Sequence, residues 1–231
     1  SVLAVILVGP AGVAYATGHP DSEVAQYNLM TIVPMSDSGL MVLPTHRMLQ
    51  GFTPADWAAA VAKVGTCFAR SPMPDVSTLQ HALATQVPIS VAAFGVLTDC
   101  GRKLELWQLR PGSSISRITG QPLDTAYDAV DLCWLHQVLL QYGMGIDAEA
   151  QTRQTYLQYF KNAEKALADL QLDSGNKILF LTRAIPLNVV DGVAARGLLM
   201  PQKSTYFFPK LPSGLVIHYH PVQQPVLTIE Q

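Results

Sequence analysis

The sequence is poor in charge and has no long block of either sign. Only 14% of its 231 residues are charged, with 15 Lys and Arg against 17 Asp and Glu, and the formal net charge at pH 7 is -2. A nucleic-acid-binding surface usually shows an excess of basic residues, so the composition argues against a nucleic-acid partner. Hydrophobic residues make up 49% of the chain, which is enough for a substantial core and excludes a disordered protein.

Cysteine is also scarce, and its spacing indicates no bonded framework. The 3 cysteines, Cys67, Cys100 and Cys133, are far apart and include no Cys-x-x-Cys pair. An odd number at wide spacing predicts neither a disulfide framework nor a zinc site. Reduced thiols are typical of cytoplasmic proteins, so we predict a cytoplasmic location.

The start of the chain has a short apolar run at residues 2–8, followed by small residues at Ala14 and Ala16. This pattern resembles the end of a signal peptide, but no basic residue precedes it, so we favour a buried strand or a segment separated from its natural neighbours. The run is too short to span a bilayer, and we expect no membrane partner. Because the sequence begins at Ser1 rather than Met, we expect a fragment of a longer protein or a processed product.

Apolar periodicity and turn residues predict hairpins interrupted by helices. The predicted strands are residues 26–35, 40–43, 89–97, 103–109, 155–160, 177–181 and 214–218. The predicted helices are residues 54–68, 75–86, 126–142, 163–170 and 186–197. Thr53 and Asn162 are the predicted N-caps. This order favours the α+β class, with mixed, largely antiparallel sheets and helices packed on them. We treat residues 1–231 as one unit, with a subdomain boundary predicted near 111–122.

Two polar loops form the candidate functional surface. The shorter loop, residues 43–47, contains His46 and Arg47. The longer loop, residues 200–216, contains charged and hydroxyl side chains between prolines, namely Lys203, Ser204, Thr205, Tyr206 and Lys210. Such proline-rich polar runs are too irregular for a helix interior, and they predict shaped loops with polar groups held in place.

The side chains of these loops suit a small anion. The two lysines supply positive charge, and the hydroxyls and loop amides supply directed donors. Arg47 adds a planar fork that matches phosphate or carboxylate. Tyr206 is a candidate for orienting a substrate hydroxyl, and His46 is the candidate catalytic acid or base because histidine titrates near neutral pH. In the structural alternative, the lysines are solvated and the aromatic residues pack.

Three other patterns do not predict a functional site. Residues 197–204 have the spacing of a P-loop, but Gln202 stands where a glycine is needed and a predicted helix precedes the segment. His218 and His220 share a strand face, but no third ligand accompanies them, so we predict no metal site. His136 lies in the most apolar predicted helix, where we expect a hydrogen-bonded core histidine.

Three segments resemble signatures of a prokaryotic domain-of-unknown-function family, number 1015. The first is Asp-Ser-Gly-Leu followed by Leu-Pro-Thr-His-Arg, at residues 37–47. The second is Asp-Leu-Cys-Trp-Leu-His, at residues 131–136. The third is Met-Pro-Gln-Lys-Ser-Thr-Tyr-Phe-Phe-Pro-Lys followed by Ser-Gly-Leu-Val, at residues 200–216. They occur in the order of that family, and the resemblance implies a bacterial or other prokaryotic protein without an assigned activity.

One departure from the family pattern limits what the resemblance implies. Its members carry an upstream Asp-Gly-His-His-Arg motif that this sequence lacks, so the chain resembles the C-terminal part of a member. The missing motif is similar to one in the ParB/sulfiredoxin superfamily, which includes phosphate-handling enzymes such as free-serine kinases. By that analogy the chain holds part of a phosphotransferase-like site, inactive as a fragment, with a nucleotide as candidate cofactor.

Three hypotheses for function remain open. The chain binds a small anionic metabolite as part of an active site, senses such a metabolite without catalysis, or is a structural domain. The first two need residues 46–47 and 203–210 to converge on one cleft, whereas the third expects them apart or buried as pairs. The sequence leaves a homo-oligomer open.

Overall fold

The computed structural model describes residues 33–34, 37–172 and 176–210, and the chain separates into two compact units. One unit is Met41–Phe208, and the other combines Ser1–Leu40 with Pro209–Gln231. The described part of the second unit includes a turn in which Gly39 N donates to Asp37 Oδ1 at 2.8 Å. The segment 111–122, where a subdomain boundary was predicted, lies inside the first unit.

A six-stranded sheet forms the centre of the unit Met41–Phe208. In chain order the strands are β1 Met41–Leu43, β2 His46–Leu49, β3 Phe68–Pro72, β4 Ala93–Thr98, β5 Lys103–Leu109, β6 Leu157–Phe160, β7 Ile178–Leu181 and β8 Tyr206–Phe208. The large sheet has the order β3-β5-β4-β7-β2-β6, and every neighbouring pair in it is antiparallel. Together with the helices that connect the strands, this sheet confirms the predicted α+β class.

Strands β1 and β8 form a separate two-stranded antiparallel sheet, in which Leu43 pairs with Tyr206. The prediction of a loop throughout 200–216 was therefore wrong for Tyr206–Phe208. The same correction applies to residues 43–47, because strand β2 begins at His46. The strands predicted at 26–35 and 214–218 lie largely or wholly outside the described residues.

Helical elements connect the strands in the described part of the chain. They are α1 Pro54–Val64, α2 Val76–His81, α3 Ile115–Thr119, α4 Asp131–Cys133, α5 Ala148–Arg153, α6 Ala163–Gln171 and α7 Leu187–Ala194. Helix α2 continues as a π-helix at Ala82–Gln86, and α4 continues as a π-helix at Trp134–Gly143. Among the described residues, no helix combines the length and the apolar character needed to cross a membrane.

Local capping explains where two of these helices begin. The Thr53 hydroxyl accepts from Asp56 N while the Asp56 carboxylate accepts from Thr53 N, which is a reciprocal capping box at the start of α1. Asn162 Oδ1 accepts from Lys165 N at 2.9 Å at the start of α6. Both N-caps were predicted from the sequence and are confirmed.

The sheet buries both of its faces because side chains of the central strands alternate between two apolar clusters. Phe94 and Val96 of β4 belong to one cluster, with the π-helix Trp134–Gly143, whereas Ala93 and Leu97 belong to the other, with α2 and α6. Close packing favours glycine at position 95, because a Cβ there would lie only 2.7 Å from Leu79 Cδ2.

Several predicted boundaries are corrected by tertiary pairing. The helix predicted over 54–68 ends at Val64, because Phe68 pairs with Leu109 and begins strand β3. The helical spacing of Phe68 therefore misled the prediction. The helix predicted over 126–142 begins only at Asp131, after a 3-10 turn. Helix α3 lies within the segment that was predicted as a loop.

Candidate functional site

Strand β2 carries Arg47 into the centre of the unit, between Tyr159 of β6 and Phe180 of β7. Arg47 is 0% exposed, and its guanidinium donates to four acceptors in the described part of the chain. Those acceptors are His136 Nε2 at 3.2 Å, the Thr45 carbonyl, the Lys203 carbonyl at 3.0 Å and the Gln202 carbonyl at 3.4 Å. Arg47 thus joins β2 to the backbone of the longer loop.

The charge of Arg47 has no carboxylate partner in the described part of the chain. Of the ion pairs among the residues that the structure describes, none includes Arg47. Burial lowers the pKa of Arg47 to about 10, so the guanidinium stays positive at neutral pH. Its Cζ lies 5.4 Å from the centre of the Tyr159 ring, whose negative face is a weak substitute for a counter-ion.

His136 connects Arg47 to a neutral hydrogen-bond chain. Its Nδ1 lies 2.7 Å from Gln151 Oε1, which can only accept, so Nδ1 carries the proton and Nε2 accepts from Arg47. The Gln151 amide in turn donates to the carbonyls of Ile146 and His136, at 2.8 and 3.2 Å. Burial and the Arg47 charge lower the pKa of His136 to about 3. The expected buried, hydrogen-bonded histidine is confirmed.

A cavity of about 220 Å³ lies beside this network. Its lining is rich in side-chain amides and includes no lysine, arginine or carboxylate from the described residues; it comprises His136, Gln137, Gln141, Ala148, Gln151, Thr152, Tyr159, Leu199, Met200, Pro201 and Gln202. Three of these residues touch Arg47 directly, namely His136, Tyr159 and Gln202. The cavity is therefore adjacent to the unpaired positive charge.

Two polar atoms in the cavity lining are buried without a hydrogen-bond partner. They are Gln137 Oε1 and Tyr159 Oη, for which no residue in the described part of the chain supplies a donor or acceptor. Buried polar atoms in native proteins are nearly always paired, so such atoms call for an explanation. Both residues line the cavity, but the two oxygens have almost no accessible surface and are not open to a molecule in it.

His46 lies away from this cavity. Successive residues of a strand point to opposite faces, so His46 and Arg47 do not share one. His46 Nδ1 accepts from Thr182 N at 3.2 Å, and Thr182 Oγ1 donates to the Thr45 carbonyl at 3.0 Å. Burial, with a smaller effect of Arg47, lowers the pKa of His46 to about 4. The acid–base role of His46 stays a prediction.

The longer loop meets Arg47 through its backbone. Lys203 is exposed and has a φ of 55°, a left-handed conformation that is uncommon for lysine. Ser204 is buried, and its hydroxyl donates to the Pro201 carbonyl. The ring of Tyr206 lies under Lys161 Nζ, 4.2 Å from the ring centre.

The remaining residues of the predicted site are Thr205 and Lys210 of the longer loop. Thr205 is half-buried, whereas Lys210 is exposed and belongs to the second compact unit. The structure brings Arg47 together with the carbonyls of Gln202 and Lys203, while the predicted ligand-binding roles stay predictions.

Sequence reasoning missed the residues that line the cavity. Gln137 and Gln141 are four residues apart on the π-helix Trp134–Gly143, and Tyr159 shares a strand face with buried Leu157 on β6. Glutamines in an apolar helix were the one available signal, because buried amides need partners. A π-helix is rare and is often found at functional sites, but its hydrogen bonding cannot be read from this sequence.

Comparison with known proteins identifies the family. The family described as Protein of unknown function (DUF1015) matches residues 11–132, which is more than half of the chain. The protein belongs to this family. The matched DUF1015 region includes strand β2 with Arg47, and it ends just after Asp131 at the start of α4. The resemblance noted for residues 37–47 thus falls within it.

Comparisons with solved structures and with curated proteins assign no function. A conserved hypothetical protein from Pyrococcus furiosus has a similar structure, with a TM-score of 0.42 and 14% sequence identity. The similarity covers 79% of this chain and 62% of that protein, so the chain spans less than two thirds of its length. A search of curated proteins found no match.

Proposed function

We propose that this DUF1015 member binds a small anionic metabolite, a carboxylate or phosphate, in the cavity beside Arg47. The observation that supports this most is a fully buried guanidinium without a carboxylate partner in the described residues. A buried charge is costly unless it is compensated, and a bound anion compensates it.

The charge of Arg47 is large enough to select anions without touching them. At an effective dielectric constant of about 20, two unit charges interact by about 4 kcal/mol at roughly 4 Å and about half as much at roughly 8 Å. An anion in the cavity lies beyond His136, Tyr159 and Gln202, which all contact Arg47. Exposed Lys203 follows Gln202 in the chain and adds positive potential on the solvent side.

Binding rather than catalysis is the function that the lining supports. Its ionisable side chains are His136 and Tyr159, and the pKa of His136 is about 3 with both ring nitrogens engaged. Such an imidazole is a poor general base near neutral pH. We therefore place a metabolite-sensing role ahead of the phosphotransferase-like role implied by resemblance.

Charge-matched ligand pairs test this proposal. Acetate and acetamide, glycolate and glycolamide, and inorganic phosphate are titrated into the full chain by calorimetry, with thermal shift as a second readout. We expect each acid to bind at least about tenfold more tightly than its amide. Lys203→Ala serves as the control for the exposed lysine and should weaken binding only slightly. Equal binding of acid and amide, or no binding of either, would overturn the proposal.

A structural role for the two loops is the second candidate. The observation that favours it is the set of bonds from Arg47 to the Thr45, Gln202 and Lys203 carbonyls, which joins the loops without any ligand. This candidate predicts that no acid stabilises the chain. Titration with the acids and their amides therefore separates the two candidates.

We further propose a cytoplasmic location, since Cys67, Cys100 and Cys133 are thiols that form no disulfide with one another. Thiol titration of denatured protein, purified without a reducing agent, is expected to detect all 3 cysteines. Recovery of fewer thiols, in protein prepared rapidly from cells, would contradict a reducing compartment.

A further inference from the structure

We infer that the anion site is switched by rotation of the peptide that joins Gln202 to Lys203. The rotation turns the Gln202 carbonyl away from Arg47 and turns the Lys203 N–H towards the bound anion. This switch rests on the proposed anion site, and it adds the way in which a ligand reaches Arg47.

The contact between Arg47 and the Gln202 carbonyl is the one most easily lost. Arg47 is 0% exposed, so an anion touches it only if a group that covers it moves. Of the three lining residues that contact Arg47, His136 and Tyr159 do so through side chains on the π-helix and strand β6. Gln202 does so through the backbone of a loop, and its bond, at 3.4 Å, is the longest of the four that Arg47 donates.

The turn at Pro201–Ser204 is held at its ends, whereas its central peptide is not. Ser204 is buried, and its hydroxyl donates to the Pro201 carbonyl. The Lys203 carbonyl, which belongs to the following peptide, accepts from Arg47 at 3.0 Å. The Lys203 N–H donates to none of the residues that the structure describes. The central peptide can therefore rotate while the bonds on either side of it remain.

The backbone of Lys203 is strained without a local reason. Its φ of 55° is a left-handed conformation that costs free energy in a residue with a side chain. The other described residues of this kind have local roles, since Gln154 ends helix α5 while Asp99 and Cys100 form the turn between β4 and β5. Lys203 lies in the loop between α7 and β8. Strain of this sort is concentrated at ligand sites and switches, where binding can release it.

Rotation of the peptide releases this strain and exchanges an acceptor for a donor. It changes ψ of Gln202 and φ of Lys203 together, as between turns of type II and type I, in which φ of the third residue is about +80° and about -90°. Without an anion, an N–H that faces the guanidinium is unfavourable, because both groups present positive hydrogens. With an anion, both groups donate to it, so the ligand favours the rotated form by its higher affinity for that form.

Two substitutions of the same residue test the switch. Lys203→Ala and Lys203→Gly both remove the lysine charge, but only glycine adopts a left-handed φ without steric cost. Because glycine favours the unrotated peptide, we expect Lys203→Gly to bind acetate, glycolate and inorganic phosphate roughly fivefold more weakly than Lys203→Ala. Calorimetry on the full chain measures these affinities.

Gln154→Ala and Gln154→Gly are the matched control pair. Gln154 is exposed, has a φ of 57° and is not among the residues that line the cavity. The same exchange of alanine for glycine at this position should leave the affinity for each acid unchanged. A fivefold difference within this pair as well would overturn a specific role for the peptide at Lys203.

The wild-type chain supplies a second readout that needs no variant. Three-bond scalar couplings measured by nuclear magnetic resonance report the sign of φ at residue 203. We expect a positive φ without ligand and a negative φ at saturation with the acid that binds most tightly. A φ that stays positive at saturation would overturn the switch even if the variants fold poorly.

The outcomes separate the switch from the proposed function. If Lys203→Gly binds the acids as tightly as Lys203→Ala, and both prefer acids to amides, the switch is overturned while the anion site stands. If the wild type binds none of the acids, the proposed function fails and the switch fails with it.

Discussion

Two arginines of this unit, the buried Arg47 and the largely buried Arg183, differ in their charge partners. Arg183, which follows strand β7, donates to Asp131 through Nε at 2.7 Å and Nη2 at 3.0 Å, and the side chains of this pair are 9% and 7% exposed. The same guanidinium donates to the backbone carbonyls of Val87, Pro88, Ile89 and Val91, the last at 2.6 Å. Arg47, on the neighbouring strand β2, has comparable backbone contacts but no carboxylate partner in the described residues.

The difference indicates separate roles for the two residues. Burial raises the pKa of Asp131, and the two hydrogen bonds and the charge of Arg183 oppose that rise. Arg183 and Asp131 therefore form a closed pair that attaches the 87–91 segment to the start of α4. Arg47 has no carboxylate partner among the described residues, and a cavity lies next to it. We propose that the paired arginine stabilises the fold and that the charge of Arg47 attracts an anion to the adjacent cavity.

Among these changes, removal of the paired Arg183 should have the largest effect on the free energy of unfolding. Arg183→Gln leaves the Asp131 carboxylate buried without its counter-ion, so we expect a loss of about 3–5 kcal/mol in the free energy of unfolding. Urea denaturation measures this loss. Arg102→Gln is the control, because Arg102 and Asp99 form an exposed pair whose removal should change stability little. A similarly small loss of stability for Arg183→Gln would contradict a stabilising role for the pair of Arg183 and Asp131.

Acid should destabilise the fold through the two buried histidines. The pKa values of His46 and His136, about 4 and about 3, lie below the ordinary 6.5, so the unfolded chain binds these protons more readily. Their contribution to stability is complete above about pH 7 and is lost as the pH falls towards those values. We expect about 1.4 kcal/mol per pH unit from each histidine below roughly pH 6.

Urea denaturation between pH 7 and pH 5 measures this slope before most carboxylates titrate. His136→Gln should reduce the slope by about half, because one of the two shifted groups is gone. A wild-type stability that stays constant across this interval would contradict the buried, neutral state of both imidazoles.

Removal of the unpaired arginine should cost less than removal of the paired one. Arg47→Gln leaves no described carboxylate buried without a counter-ion, and the new side-chain amide can still donate to some of the acceptors of Arg47. We therefore expect a loss of about 1–3 kcal/mol in the free energy of unfolding, chiefly because the other acceptors lose their hydrogen bonds. The same variant should lose the preference for acids over amides, because the preference depends on the charge. Denaturation and calorimetry on one preparation test both statements. A loss as large as that of Arg183→Gln would indicate a hidden counter-ion.

Tyr159→Phe should have the smallest effect on the ligand-free protein. The Tyr159 hydroxyl is buried without a partner in the described residues, so its removal eliminates an uncompensated desolvation cost. We expect the free energy of unfolding to change by less than about 1 kcal/mol, with a small gain as the favoured sign. A marked destabilisation without ligand would show that the hydroxyl already has a partner.

Local features of this fold could be predicted from the sequence. The N-caps Thr53 and Asn162 depend on contacts within one helical turn, and strand β5 at Lys103–Leu109 matches its predicted range because its turn and alternation are local. Strand β3 was missed because Phe68 also fits the helical spacing of α1, and only its pairing with Leu109 decides between them.

The candidate site depends on contacts that sequence patterns do not contain. Arg47 was selected from the sequence as a candidate anion-binding residue, but its contacts with Gln202 and Lys203 join positions 155 and 156 residues apart. His46 was grouped with Arg47 because residues 43–47 were taken as a loop, whereas strand β2 directs the two to opposite faces. The unpartnered atom of Gln137 becomes visible only when its surroundings are known.

The central claim is that the unpaired charge of Arg47 makes the adjacent cavity an anion site. The most direct measurement follows the side-chain amide signals of Gln137 and Gln141 by nuclear magnetic resonance while glycolate or glycolamide is added. We predict saturable shifts of these signals with glycolate, and shifts at least about tenfold weaker at equal concentrations of glycolamide. Equal shifts with both ligands, or glycolate binding that leaves these amides unchanged, would contradict the claim.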